Sequence, residues 1–106
     1  MILHARIDLT NADLEKFERY EDAVIPLLER YGITMAARLR AEDGSCEVHI
    51  LDVPDMATME QFRADPDRAR IQHLWDECGV SGVVTQMTDM RGAPFIGPVN
   101  ASLRET

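Results

Sequence analysis

Between positions 2 and 9 apolar and polar residues alternate, with Leu3, Ala5, Ile7 and Leu9 set against His4, Arg6 and Asp8. A period of two is the pattern of a half-buried strand. Thr10-Asn11-Ala12-Asp13 then matches a helix-capping pattern, and Leu14, Phe17, Val24, Leu28 and Tyr31 follow at offsets that put them on one face of a helix. Gly32 suits the left-handed C-terminal cap of that helix, and Pro26 inside it predicts a bend, because proline lacks the N–H and crowds the preceding turn.

Alternation returns from Ile33 to Ala41, with Ile33, Met35, Ala37 and Leu39 on one face and Thr34, Ala36, Arg38 and Arg40 on the other. Asp43-Gly44 separates this run from Cys46-Glu47-Val48-His49-Ile50-Leu51, which predicts an antiparallel hairpin. A second helical stretch opens at Pro54-Asp55 with Met59 and Phe62 on its apolar side. It breaks at Asp65-Pro66 and resumes through Ile71, Leu74, Trp75 and Cys78 to Gly79. Residues 80–88 are β-branched enough for a fourth strand.

The order β-α-β-β-α-β is the split pattern of a ferredoxin-like α+β fold. Hairpin pairing and right-handed crossovers place the first and third strands in the middle of a four-stranded antiparallel sheet, with helices on one face and the other face bare. Residues 1–90 form this domain. Residues 91–106, with Gly92, Pro94, Gly97 and Pro98 around Phe95-Ile96, form a C-terminal extension. Turning the apolar sets toward the helices assigns His4, Arg6, Asp8, Arg38, Arg40, Glu47, His49 and Leu51 to the bare face.

Phe17-x-x-Tyr20-Glu21, Ile25-Pro26-Leu27-Leu28, Tyr31-Gly32 and, after the strand pair, Phe62-Arg63-Ala64-Asp65-Pro66 together resemble a small uncharacterised family of dimeric α+β-barrel proteins. The resemblance implies that two ferredoxin-like subunits face their sheets together to enclose a barrel. Relatives in that superfamily include cofactor-free monooxygenases, muconolactone-type isomerases, dye-decolorising haem peroxidases and ligand-binding members, so the resemblance implies a fold and leaves the chemistry open.

A chain of 106 residues makes one small domain, and nineteen acidic against eleven basic residues give a formal net charge of −8. That charge disfavours nucleic acid and anionic membrane as partners. No apolar run approaches a membrane span, and Cys46 and Cys78 stand too far apart for a zinc or redox motif. A protein of the cytoplasm is the simplest expectation. The three histidines lack metal-ligand spacing, and no dinucleotide, phosphate-loop or serine-hydrolase motif occurs, so neither a metal nor another cofactor is expected.

Candidate chemistry therefore rests on the polar residues of the sheet. Arg6 and Arg38 with His49 form a candidate site for a small organic ligand, anionic or aromatic, in the barrel of a homodimer. In an enzymatic alternative, a cofactor-independent monooxygenase or isomerase, His49 or His4 removes a proton and an arginine steadies the oxyanion. A third reading has these residues consumed by ion pairs at a dimer interface. His73 and Glu77, four apart on the second helix, read as a surface pair, and Tyr20, Tyr31 and Trp75 as core or core-edge residues.

Overall fold

The structure, a computed structural model, describes residues 1–91. The expected features of residues 92–106, including the Phe95-Ile96 pair, lie outside the described residues. The elements are β1 (Ile2–Asp8), α1 (Leu14–Val24), a 3₁₀ stretch (Ile25–Tyr31), β2 (Thr34–Arg40), β3 (Cys46–Asp52), α2 (Met56–Arg63), α3 (Pro66–Glu77) and β4 (Ser81–Met87). All strands pair antiparallel in the order β2-β3-β1-β4, so β1 and β3 are the central pair of a ferredoxin-like α+β sheet. Among the described residues no helix is long and apolar enough to cross a membrane.

Local chemistry sets the helix ends. Asp13, not Thr10, caps α1, its Oδ1 accepting from Lys16 N at 3.2 Å, and Asp55 and Asp65 cap α2 and α3 in the same way. Pro26 does more than bend the first helix. From Ile25 the chain winds as a 3₁₀ helix until Gly32, whose φ of 64° ends it in the left-handed region. Pro66 starts α3, which accounts for the break after α2. The hairpin turn is tied by Gly44 N to Ala41 O at 2.8 Å and Ser45 N to Asp43 Oδ1 at 2.9 Å.

The core lies between the sheet and the helices. Leu3, Leu51 and Val53 from the sheet side pack with Tyr20, Val24, Leu27, Leu28, Met59, Phe62 and Leu74, and a smaller cluster joins Ile7, Leu9, Phe17 and Cys78. Of the two thiols, Cys78 is buried and Cys46 half-buried, and both are free.

Two sheet strands face the helices differently from the alternation argument. Register pairs Leu3 with Leu51, Ala5 with His49 and Ile7 with Glu47, so Glu47, His49 and Leu51 point toward the helices and Val48 and Ile50 point away. In β2 the register shifts between Met35 and Ala37, where the bulge at Ala36 adds one residue. Met35 still faces the helices, but beyond the bulge Arg38 and Arg40 take that side, opposite His49 and Glu47, while Ala37 and Leu39 turn outward. The expected bare-face set thus divides. His4, Arg6 and Asp8 remain there, whereas Arg38, Arg40, Glu47, His49 and Leu51 belong to the covered face.

Candidate functional site

Burying Glu47 and His49 beneath the helices is possible because charged partners converge on them. Glu47 is 2% exposed. Its Oε1 accepts from Arg40 Nε at 3.0 Å and Arg40 Nη2 at 2.7 Å, and its Oε2 accepts from Arg38 Nε at 3.1 Å. From α1, Glu18 binds the outer side of both arginines, with Oε1 2.6 Å from Arg40 Nη2 and Oε2 3.7 Å from Arg38 Nη2. The Arg40 guanidinium also lies 5.9 Å from the centre of the Phe17 ring.

His49 connects this ion network to the interior. Its Nε2 is 2.5 Å from Glu47 Oε2 and 3.5 Å from Oε1 of Glu21, an α1 residue only 1% exposed. Burial works to raise the Glu47 carboxyl, but the hydrogen bonds from His49, Arg40 and Arg38 outweigh it and hold the group at about 2. Glu21 is the reverse. Burial, followed by the negative charge of Glu47, pushes its carboxyl up to about 8. Glu47 is therefore an anion and Glu21 a neutral acid at pH 7. Since an ionised carboxylate has no proton to give, His49 Nε2 donates to Glu47.

Glu21, Glu47 and His49 each offer an oxygen or nitrogen within 4.8 Å of the others. Two carboxylates and an imidazole form a chemically reasonable donor set for a metal. Both Glu47 oxygens, however, already accept from guanidinium groups, and the raised Glu21 carboxyl keeps its proton. The arrangement fits proton sharing better than metal ligation.

Beside this cluster lies a cavity of about 270 Å³ between sheet and helices. Its walls are mostly apolar, including Val24, Leu28, Met35, Leu51 and Phe62, with Tyr20 and Trp75 along one side. Their rings meet at 5.3 Å between centroids. The polar lining comprises Glu21 and His49 at one wall, Arg68 and Gln72 of α3, and Arg6 of β1. The volume is just below the ~300 Å³ lower end of ordinary ligand pockets, which suits a small organic molecule.

The structure brings only part of the expected site together. His49 and Arg38 share the covered face and the Glu47 network, but Arg38 is not among the cavity residues. By register His4 and Arg6 belong to the other face, Arg6 opposite Val48 and Val83 and His4 opposite Ile50 and Thr85, and of the two Arg6 also borders the cavity. The expected placement of His49 with Arg6 on one face is thereby corrected: His49 pairs with Ala5, so it shares a face with Leu3, Ala5 and Ile7, and the intervening Arg6 falls on the other. His73 is exposed as expected, and Glu77 pairs with Lys16 at 3.7 Å instead of with His73.

Sequence reasoning missed Glu21. The signal was present, because Glu21 stands four residues after Phe17 and three before Val24, on the buried stripe of α1. A carboxylate on such a stripe marks a special environment.

Comparison with solved structures places this architecture among known folds. A NIPSNAP domain protein from Burkholderia xenovorans, itself uncharacterised, is similar with a TM-score of 0.61 and 16% identity over 90% of this chain and all of that one. SnoaB from Streptomyces nogalater, a cofactor-independent oxygenase, aligns with a TM-score of 0.65 and 15% identity, covering 83% of this chain and 92% of its own. The chain has their ferredoxin-like α+β fold. A putative antibiotic biosynthesis monooxygenase from Nitrosomonas europaea is similar at a TM-score of 0.56 and 10% identity, over 84% of this chain and 100% of that one. No protein-family model and no curated protein matches the sequence. At these identities the likeness carries the fold and not the chemistry.

Proposed function

We propose that this protein binds a small, largely apolar organic molecule in the cavity between its sheet and helices, with His49 and Glu21 as the polar groups that meet it. The observation that carries this reading is the buried Glu21 carboxyl at the wall of an apolar cavity. Its Oε1 is buried and has no hydrogen-bond partner among the described residues. An unsatisfied buried oxygen costs about 1–3 kcal/mol, a cost that a ligand hydroxyl or amide would offset. Native mass spectrometry of protein purified without denaturant tests the reading. A retained small molecule is expected, with less retained by His49→Ala and Glu21→Ala. Retention unaffected by both substitutions would place any ligand elsewhere.

The same residues support a second, enzymatic reading. His49 has Nε2–H committed to Glu47, which leaves Nδ1 as its proton-exchanging atom, and the anionic Glu47 stabilises positive charge on the ring as a proton arrives. Proton removal from an activated ligand carbon is the first step of cofactor-independent oxygenation or double-bond isomerisation. SnoaB, named as such an oxygenase, supports the compatibility of that chemistry with this fold. In this version no role falls to His4, and Arg38 acts through Glu47, as a positioning residue. Deuterium incorporation from heavy water into a bound ligand, lost in His49→Ala, is its test.

A second copy of this chain is the partner we propose for the bare sheet face. Leu39 is 61% and Val83 65% exposed there, and Val48 and Arg6 lie between them across the strands. Such a largely apolar row in water favours pairing.

A further inference from the structure

Arg68 gives the cavity a chemical polarity that its apolar walls do not. It projects from the first turn of α3, with Gln72 and Trp75 following at four and seven residues, so the three share one helix face, and all three line the cavity. Its guanidinium stacks over Phe62, 5.5 Å from the ring centre, and Nη1 donates to Arg63 O at 3.2 Å. Several other arginines of this acidic chain have carboxylate partners: Arg30 meets Asp65 and Asp67, Arg38 and Arg40 meet Glu47, and Arg91 meets Asp89. Arg68 makes no ion pair within the described residues.

A second observation points the same way. Among the described residues, two buried side-chain polar atoms lack a hydrogen-bond partner, Glu21 Oε1 and Arg68 Nε. Both belong to residues that line this one cavity. A half-buried guanidinium over an aromatic ring, without a carboxylate of its own, is a fork-shaped donor for a planar anion. Tyr20, Phe62 and Trp75 supply flat apolar surface beside it.

We infer that the cavity selects a small aromatic carboxylate of one or two rings, its carboxylate held by Arg68 and its ring lying between Trp75, Tyr20 and Phe62, with the far edge toward Glu21 and His49. The inference rests on the cavity being the ligand site, and it transfers the anion-binding role from Arg6 and Arg38 to Arg68. It also assigns α3 a specificity role, since Arg68 and Trp75 come from one helix.

Isothermal titration of the full chain at pH 7 with 1-naphthoate and 1-naphthol tests it, because the two share a ring system and differ in charge. The wild type is expected to bind naphthoate at least about tenfold more tightly, the scale of a charge-assisted hydrogen bond. Arg68→Gln should bring the two affinities within about twofold, chiefly by weakening naphthoate. Arg68→Lys, which keeps the charge and loses the planar fork, should retain an intermediate preference, and it replaces the Gln variant if that one does not fold. Equal wild-type affinities, or a preference undiminished in the variants, would overturn the inference and leave the cavity reading standing. Binding of neither compound would overturn both.

Discussion

Glu21 and Glu47 flank the same nitrogen of His49 yet are held in opposite charge states, the first neutral and the second ionised at pH 7. The difference follows from their partners. Glu47 receives two guanidinium groups from β2, whereas Glu21 faces an apolar cavity and the Glu47 charge.

This pair makes stability depend on pH in two separate windows. Glu21 titrates at an ordinary 4.5 when unfolded and at about 8 when folded, so between those values the folded chain holds a proton that the unfolded chain has lost. Stability should fall as pH rises from 4.5 to 8, by up to about 1.4 kcal/mol per unit. Glu47, depressed from 4.5 to about 2, contributes stability above 4.5 that is lost as pH falls toward 2. Melting curves from pH 5 to 8.5 should show Glu21→Gln gaining on the wild type toward the alkaline end. Parallel profiles would contradict the assigned charge state of Glu21.

Arg40 should matter more to the fold than Arg38. It donates two hydrogen bonds to Glu47 and one to Glu18, whereas Arg38 donates one to Glu47. Arg40→Ala is expected to cost about 1–3 kcal/mol in urea unfolding, largely by leaving a buried carboxylate underpaired. Arg38→Ala should cost less, and the reverse order would show that the network is shared differently.

Gly82 of β4 sets the position of the cavity's tryptophan. A Cβ at Gly82 would stand 3.3 Å from Trp75 Cη2 and 3.4 Å from Cζ2, so Gly82→Ala should displace the ring. Trp75 is the chain's one tryptophan, and its emission should therefore shift in the variant, with ligand affinity reduced several-fold. Gly79→Ala is expected to behave differently: its added Cβ would lie 2.7 Å from Asn11 O at a φ of 75°. That strain and clash should lower stability by about 1–3 kcal/mol without a specific effect on the cavity.

The bare face leads to an expectation about assembly. Sedimentation should find the wild type dimeric at micromolar concentration and Val83→Glu monomeric, because a charge would replace an apolar group in the row containing Leu39 and Val48. A monomeric wild type would remove the homodimer from the account.

The sequence made β1, the Asp43-Gly44 turn and the break at Pro66 legible because each depends on local chemistry: alternation, a left-handed glycine, a missing N–H. The facing of β3 was not legible. Cys46, Val48 and Ile50 look like its buried set until Glu47 is matched with Arg38 and Arg40, partners that reach it only through strand register and the bulge at Ala36. Apolar alternation cannot register a buried charge whose compensation comes from another strand. The site moves with the facing: His49 lies beneath the helices, His4 and Arg6 keep to the opposite face by register, and Glu21 and Arg68 join His49 from helices whose stripes signal only packing in the sequence.

The most direct test of the central claim is an amide chemical-shift map of the isotope-labelled protein during titration with 1-naphthoate. Shifts are expected to concentrate at Tyr20, Glu21, His49, Phe62, Arg68 and Trp75, with His4, Val48 and Leu39 little affected. Shifts confined to the latter group, or saturation behaviour absent throughout, would contradict a ligand site between the sheet and the helices.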